Sequence, residues 1–230
     1  MIKDNLENIK NEITKTQLQS PYAQEVKLIA VSKTKPASDI LQAYEAGIRD
    51  FGENKVQELV SKYESLPDDI RWHMIGHLQR NKVKYIIDKA YLIHSVDSLR
   101  LAEEIEKEAA KRNITADILV QVNISEEESK FGIGENDARE LVNRISLMPH
   151  INIKGLMTIA PACDNPDDVR PVFRELKKLS IDIDYFNMDN KPDCELSMGM
   201  SGDYKAAILE GATYVRIGSS IFGERNYNLM

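Results

Sequence analysis

Eight short apolar runs alternate with helical segments along this chain, and that alternation narrows the folds open to it. The runs are KLIAVS (27–32), IRDFG (48–52), RWHMI (71–75), YLIHS (91–95), DILVQVN (117–123), NIKGLMT (152–158), CELSM (194–198) and TYVRI (213–217). Between them lie stretches with helical periodicity, such as DSLRLAEEIEKEAAKR and ENDARELVNRISLM. Strand and helix in strict alternation imply a parallel sheet with helical crossovers. Eight repeats fit a closed (β/α)8 TIM barrel, an α/β fold. The competing doubly wound sheet usually carries a G-x-G-x-x-G turn after its first strand, and none follows here. Leu6, Ile9, Ile13 and Thr16 recur at helical spacing, so an extra N-terminal helix over residues 1–20 is expected before the barrel. No Pro-, Gly- or Ser-rich linker interrupts the sequence, and residues 1–230 are expected to form a single domain.

Charge and composition remove several function classes. The net charge of −7 argues against binding a phosphate backbone, so no nucleic-acid partner is expected. The N-terminal MIKDNLENIKNEI is polar, and no apolar run approaches membrane-spanning length. A cytoplasmic protein with no membrane role is expected. Cys163 and Cys194 have no ligand spacing and suggest neither a disulfide framework nor a nucleophile. His73 and His77, in HMIGH, lack the glutamate of H-E-x-x-H, so no metal site is expected. His73 reads as a partly buried strand residue with a local hydrogen bond. Met157, Met198 and Met200 read first as adaptable packing residues.

The first run ends in an unusual way. LIAVSKTKP (28–36) is an apolar strand that places Lys33 where the strand stops. In a barrel, chemistry collects at the C-terminal ends of the strands. Closing the barrel makes the first and last strands neighbours, so Lys33 and Arg216, in YVRIG, should share one rim. Two adjacent cations are costly unless an anion or electron-rich ligand lies between them. The loops after the last two strands, SMGMSGD (197–203) and GSSIFG (218–223), offer unobstructed amides and hydroxyls suited to a phosphate. An amine, an arginine and a phosphate seat together suggest pyridoxal 5′-phosphate (PLP). Spacing alone does not name that cofactor. Lys35 competes with Lys33 for the attachment, but Pro36 ends regular pairing and leaves Lys35 further out on the rim. Lys130, in ESKFGI, is either an exposed loop residue or one that reaches over the mouth.

The stretches AVSKTKP (30–36), FGENKVQE (51–58), WHMIGHLQRNK (72–82), HSVDS (94–98), QVNISEEESKFGI (121–133), IKGLMTI (153–159), LSMGMSGDYKAAI (196–208) and VRIGSSIFGER (215–225) run in order along nearly the whole chain. Together they resemble the pyridoxal phosphate homeostasis proteins, the YggS/PROSC-like family, which are similar to the N-terminal barrel of alanine racemase. The resemblance implies that Lys33 carries PLP as an aldimine and that Arg216 faces the pyridine nitrogen. It also implies that Ser201, Gly218 and Ser219 contact the phosphate, with Asn54, His77 and Met157 lining the pocket. It further implies a protein that binds, stores or delivers PLP, with PLP-dependent apo-enzymes as partners and no settled reaction. A monomer is the default expectation, because a closed barrel needs no partner to complete its sheet. The alternative is a PLP-dependent amino-acid racemase, or a related enzyme, of the same fold. Alanine racemase takes its second base from a C-terminal domain, and no counterpart of that domain is expected in residues 1–230. Tyr204 or Lys130 would have to replace it.

Overall fold

In the computed structural model, which describes residues 1–125, 127, 130–183 and 194–223, the apolar runs become parallel strands that close on one another. They are β1 (Lys27–Val31), β2 (Asp50–Glu53), β3 (Arg71–Met74), β4 (Ala90–Val96) and β5 (Ala116–Asn123). A two-residue β6 (Ile133–Gly134), which the periodicity does not reveal, pairs with the end of β5. The barrel continues with β7 (Ile151–Met157), β8 (Glu195–Met200) and β9 (Tyr214–Ile217). The order is β4-β3-β2-β1-β9-β8-β7-β5, and pairing of β4 with β5 completes the cylinder. Leu28 lies opposite Val215 and Ala30 opposite Ile217, so the first and last strands are neighbours as expected. The expected TIM barrel is therefore the observed fold, with strand ends displaced by no more than two residues.

Period-two alternation sorts each strand into two faces. Ala30, Ile93, Val120, Leu156 and Val215 face outward and pack under the helices in the main core. Their neighbours Ile29, Leu92, Leu119, Met157 and Tyr214 form a separate cluster inside the cylinder. The helices α2 (Ala37–Glu45), α3 (Val56–Ser65), α4 (Val83–Ile86) and α5 (Leu99–Arg112) cover the first half of the barrel. Around the second half lie α6 (Glu135–Ile145), α7 (Arg170–Asp182), α8 (Tyr204–Leu209) and α9 (Ser219–Phe222). The leading helix α1 (Ile2–Gln17) buries Ile2, Leu6, Ile9, Ile13 and Thr16. Asn5 Nδ2 donates to the Ile221 carbonyl at 2.9 Å, tying α1 to the last helix. No helix among the described residues is long and apolar enough to cross a membrane.

The cylinder also encloses polar groups. His73 Nε2 lies 3.0 Å from Asp50 Oδ1, and His73 Nδ1 lies 2.9 Å from His94 Nε2. His94 Nδ1 is 2.8 Å from Ser197 Oγ. His73 is thus fully buried rather than partly so, and its partners come from β2 and β4 rather than from nearby in sequence. Inside a barrel the nearest polar atoms belong to adjacent strands, not to adjacent residues. Burial pushes the pKa of both rings down, that of His94 well down, although Asp50 opposes the shift at His73. Burial pushes the Asp50 carboxyl up, but hydrogen bonds from His73 and Arg71 outweigh it and hold the pKa at about 2.

Two outcomes follow. Leu6 is 1 % exposed, and Leu6→Ala should cost about 2–5 kcal/mol in urea unfolding. The unfolded chain binds a proton at each ring below a pH of about 6.5, whereas the folded chain does not. Stability should therefore be complete above that pH and fall as pH drops, by up to about 1.4 kcal/mol per pH unit for each ring. Asp50 adds a further loss, in the same direction, between about pH 3.9 and 2. His94→Gln should flatten the unfolding midpoint against pH between 7 and 5; an unchanged slope would contradict the assignment.

Candidate functional site

Strand β1 stops at Val31, and the next inward position belongs to Lys33. The loop that carries it is held from outside the barrel by α3. Lys62 Nζ donates to the Ser32 carbonyl at 2.9 Å and to Glu53 Oε1 at 2.7 Å. Ser32 Oγ donates to the same carboxylate oxygen at 2.6 Å. Thr34 adopts φ 65°, a costly conformation for a β-branched residue, and its amide donates to Glu58 Oε2 at 2.7 Å. Glu53 is fully buried, and burial raises its pKa against the opposing pull of Lys62. On the far side, Lys35 Nζ donates to the carbonyls of Phe222 and Gly223 at 3.0 and 3.2 Å.

A cavity of about 340 Å³ opens at this rim, within the roughly 300–1,000 Å³ of small-molecule sites. Lys33, Lys35 and Asn54 line one side of it, and Met200, Ser201, Gly202, Arg216, Gly218, Ser219 and Gly223 another. Val31, Ile75 and Ile159 supply apolar wall. Three of these residues are cations and none is acidic, among the described residues that line the cavity. The Gly218 amide donates to Ser201 Oγ at 3.2 Å, which joins the two glycine–serine turns. A Cβ at Gly218 would lie 3.2 Å from the Val31 carbonyl oxygen, so a side chain there would press on β1. A Cβ at Gly76 would lie 2.4 Å from the Asn54 carbonyl oxygen, so this glycine lets the end of β3 close against Asn54. Arg216 is 4 % exposed. Its Nη1 donates to Ser197 Oγ at 2.6 Å and its Nη2 to the Thr158 carbonyl at 2.9 Å. Burial lowers its pKa to about 10, with Asp203 pulling the other way.

The cavity therefore gathers Lys33, Asn54, Ser201, Arg216, Gly218 and Ser219. Met157 and His77, read from the motifs as pocket residues, are not among those that line it. Met157 is fully buried in the inner apolar cluster, because its strand position turns it into the cylinder. His77 stacks on Phe131 with ring centroids 4.1 Å apart and lies 3.7 Å from Asp97. Met200 lines the cavity instead. Lys35 is a pocket-edge residue engaged with main-chain carbonyls. Lys130 is 20 % exposed rather than an open loop residue, and it pairs with Glu127 at 3.1 Å. Tyr204 packs in the main core. Cys163 is exposed, and burial pushes the Cys194 thiol up to about 12, far from a nucleophile's range. No group of three or more potential ligands could hold a metal among the described residues. Sequence reasoning missed Glu53, Glu58 and Lys62 beneath the loop, and Ser197 and Thr158 behind Arg216. One signal was present: the acid of Glu53 comes directly after the run IRDFG, at the end of β2.

This geometry defines a class: a (β/α)8 barrel that presents lysines, an arginine and two glycine–serine turns to one rim cavity. Residues 4–226 match the family described as alanine racemase, N-terminal domain. The chain belongs to that family and, within it, to the pyridoxal phosphate homeostasis proteins. A protein of that name from Aquifex aeolicus (strain VF5) is 48% identical over 202 residues, covering 87% of this chain and 88% of the relative. Another from Haemophilus influenzae is 38% identical over 231 residues, covering 99% and 97%. Among solved structures, PipY of Synechococcus elongatus PCC7942 with PLP bound superposes with a TM-score of 0.84 at 35% identity, covering 97% of this chain and 100% of that one. Alanine racemase of Clostridium difficile 630 matches at a TM-score of 0.72 and 15% identity, covering 98% of this chain and 58% of the racemase. That likeness is one of fold.

Proposed function

We propose that this protein binds PLP in the rim cavity, with Lys33 as the point of covalent attachment, and serves PLP homeostasis by binding, storing or handing over the cofactor. The observation that carries this reading is the charge of the cavity. Two lysines and an arginine line it without an acid, in a wall that also holds two hydroxyls and glycine turns. The residues fit the group. Ser201, Gly218 and Ser219 are assigned to its phosphate, and a Cβ at Gly202 would meet nothing within 4 Å, which leaves room beside them. Arg216 is assigned to the pyridine nitrogen, and Asn54 to the pocket wall. The relatives' shared name and the PLP-bound PipY support the same choice.

When bound, PLP supplies an electron-poor ring able to stabilise negative charge on an attached amino acid's carbon. Arg216 restrains that capacity, because a guanidinium offers only donors and leaves the ring nitrogen unprotonated. Two-sided proton transfer also needs two bases. Of the candidates, Tyr204 is committed to the core and Lys130 to Glu127. Carriage of the cofactor is therefore favoured over racemisation. We assign the protein to the cytoplasm as a monomeric single domain, with PLP-dependent apo-enzymes as recipients.

The test is the visible spectrum of protein mixed with PLP, followed by borohydride reduction and peptide mass mapping. The expected adduct lies on Lys33, is lost in Lys33→Ala and persists in Lys35→Ala. A Lys33→Ala protein that stays as strongly coloured, with the same trapped adduct, overturns the attachment. Single-enantiomer amino acids should keep their optical activity in the presence of the loaded protein; its loss would favour the racemase reading.

A further inference from the structure

Arg216 is the end of a hydrogen-bonded column that crosses the barrel. From its Nη1 the column runs to Ser197 Oγ (2.6 Å), on to His94 Nδ1 (2.8 Å), and from His94 Nε2 to His73 Nδ1 (2.9 Å). It then passes from His73 Nε2 to Asp50 Oδ1 (3.0 Å). Asp50 in turn accepts from Arg71 Nε at 2.8 Å and from Arg71 Nη2 at 2.5 Å. Arg71 and Asp50 open β3 and β2, so the column begins at the N-terminal end of the cylinder and finishes at the cavity. His73, His94 and Ser197 have no exposed surface; Arg216 and Asp50 have under a tenth. The Tyr214 ring lies 5.7 Å from His73 and 5.8 Å from His94, and Tyr91 packs edge-on against His73 at 5.5 Å.

The Asp50 carboxylate, which only accepts, fixes the proton positions in this column from one end, and the Arg216 end is compatible with them. A guanidinium only donates, so Ser197 Oγ accepts from Arg216 and has one proton left to give. That proton goes to His94 Nδ1, which the Asp50 end leaves bare. His94 carries its own proton on Nε2 and donates it to His73 Nδ1. His73 in turn holds a proton on Nε2 and gives it to the Asp50 carboxylate, which only accepts. The opposite tautomers would set the bare Nε2 of His73 against the carboxylate. One arrangement satisfies every contact with both rings neutral, and burial of the two rings favours that neutrality.

We propose that Ser197, His94, His73 and Asp50 are positioning residues for Arg216, forming a one-way column that fixes the guanidinium against the pyridine nitrogen and conveys the pull of the Asp50 carboxylate to it. The part that concerns the pyridine nitrogen rests on the PLP reading above. The column itself does not. Thr158 holds the second amino group of Arg216, so both restraints on the guanidinium come from the barrel wall.

The first arm of the test uses ligand-free protein with ¹⁵N-labelled histidine. Long-range ¹H–¹⁵N correlation at neutral pH should show Nε2 protonated and Nδ1 bare on both His73 and His94. Asp50→Asn should move the ring signals of His94 as well as those of His73, although Asp50 does not touch His94. Ser197→Ala enters the column from the other end, and should move both rings where Asp50→Asn does not fold. A proton on Nδ1 of either ring, or a change confined to the nearest ring, overturns the column. The second arm follows the ring nitrogen of ¹⁵N-labelled PLP bound to the protein. Its resonance should shift by more than a linewidth in Asp50→Asn and Ser197→Ala, and return toward the wild-type position in Ser197→Thr, which keeps the hydroxyl. Loss of packing alone would lower the melting temperature and leave this resonance in place, and that result overturns the positioning role. If the wild-type protein takes up no PLP, the PLP reading fails while the ligand-free arm still decides the column.

Discussion

The pairing of β1 with β9 is the contact on which the site depends. Parallel strands lie about 4.8 Å apart, so residues that follow the C-terminal ends of neighbouring strands are brought to one rim. Lys33 and Arg216 are far apart in sequence and meet only because Ala30 lies opposite Ile217. The cavity forms around that seam, with Val31 and Gly218 pressed together beneath it. Lys35, reaching the carbonyls of Phe222 and Gly223, draws the loops on either side of the seam together.

Enclosing ionisable groups in the cylinder carries an energetic cost that the wiring offsets. A buried polar atom without a partner costs on the order of 1–3 kcal/mol. In the Asp50–His73–His94–Ser197 column both ring nitrogens of each histidine are engaged. Beneath Lys33, on the other face of the sheet, Glu53 Oε1 is engaged twice while the buried Glu53 Oε2 has no hydrogen-bond partner among the described residues. There Glu53, Ser32 and Lys62 fix the loop backbone while leaving the lysine's own side directed to the cavity. Two polar assemblies, one inside the barrel and one under its helices, thus converge on one rim. Tyr214, of the inner apolar cluster, lies against both histidine rings of the first assembly.

The barrel was legible in the sequence because its signal is periodic: each apolar run matches one strand, and the amphipathic pattern of Leu6, Ile9, Ile13 and Thr16 matches α1. The gathering of Lys33, Arg216 and the two glycine–serine turns was legible too, since it follows from barrel closure alone. What sequence could not convey was side-chain direction at the strand ends. Met157 turns into the cylinder and His77 toward Phe131, although both sit in motifs that otherwise frame the cavity. Nor could it pair His73 with Asp50 and His94, which lie more than twenty positions away. Such contacts depend on strand register, and register is set by packing across strands rather than by any one strand's residues.

Closure by the first and last strands also has a consequence for how the chain is made. The earliest strand to leave the ribosome must wait for β9 before its second neighbour exists, and at about 5–20 residues per second that delay is roughly 10–40 s. Throughout that interval β1 presents an unpaired backbone edge, the kind of surface that recruits stray strands from other molecules. That edge is covered only once β9 (Tyr214–Ile217) is available to pair with it.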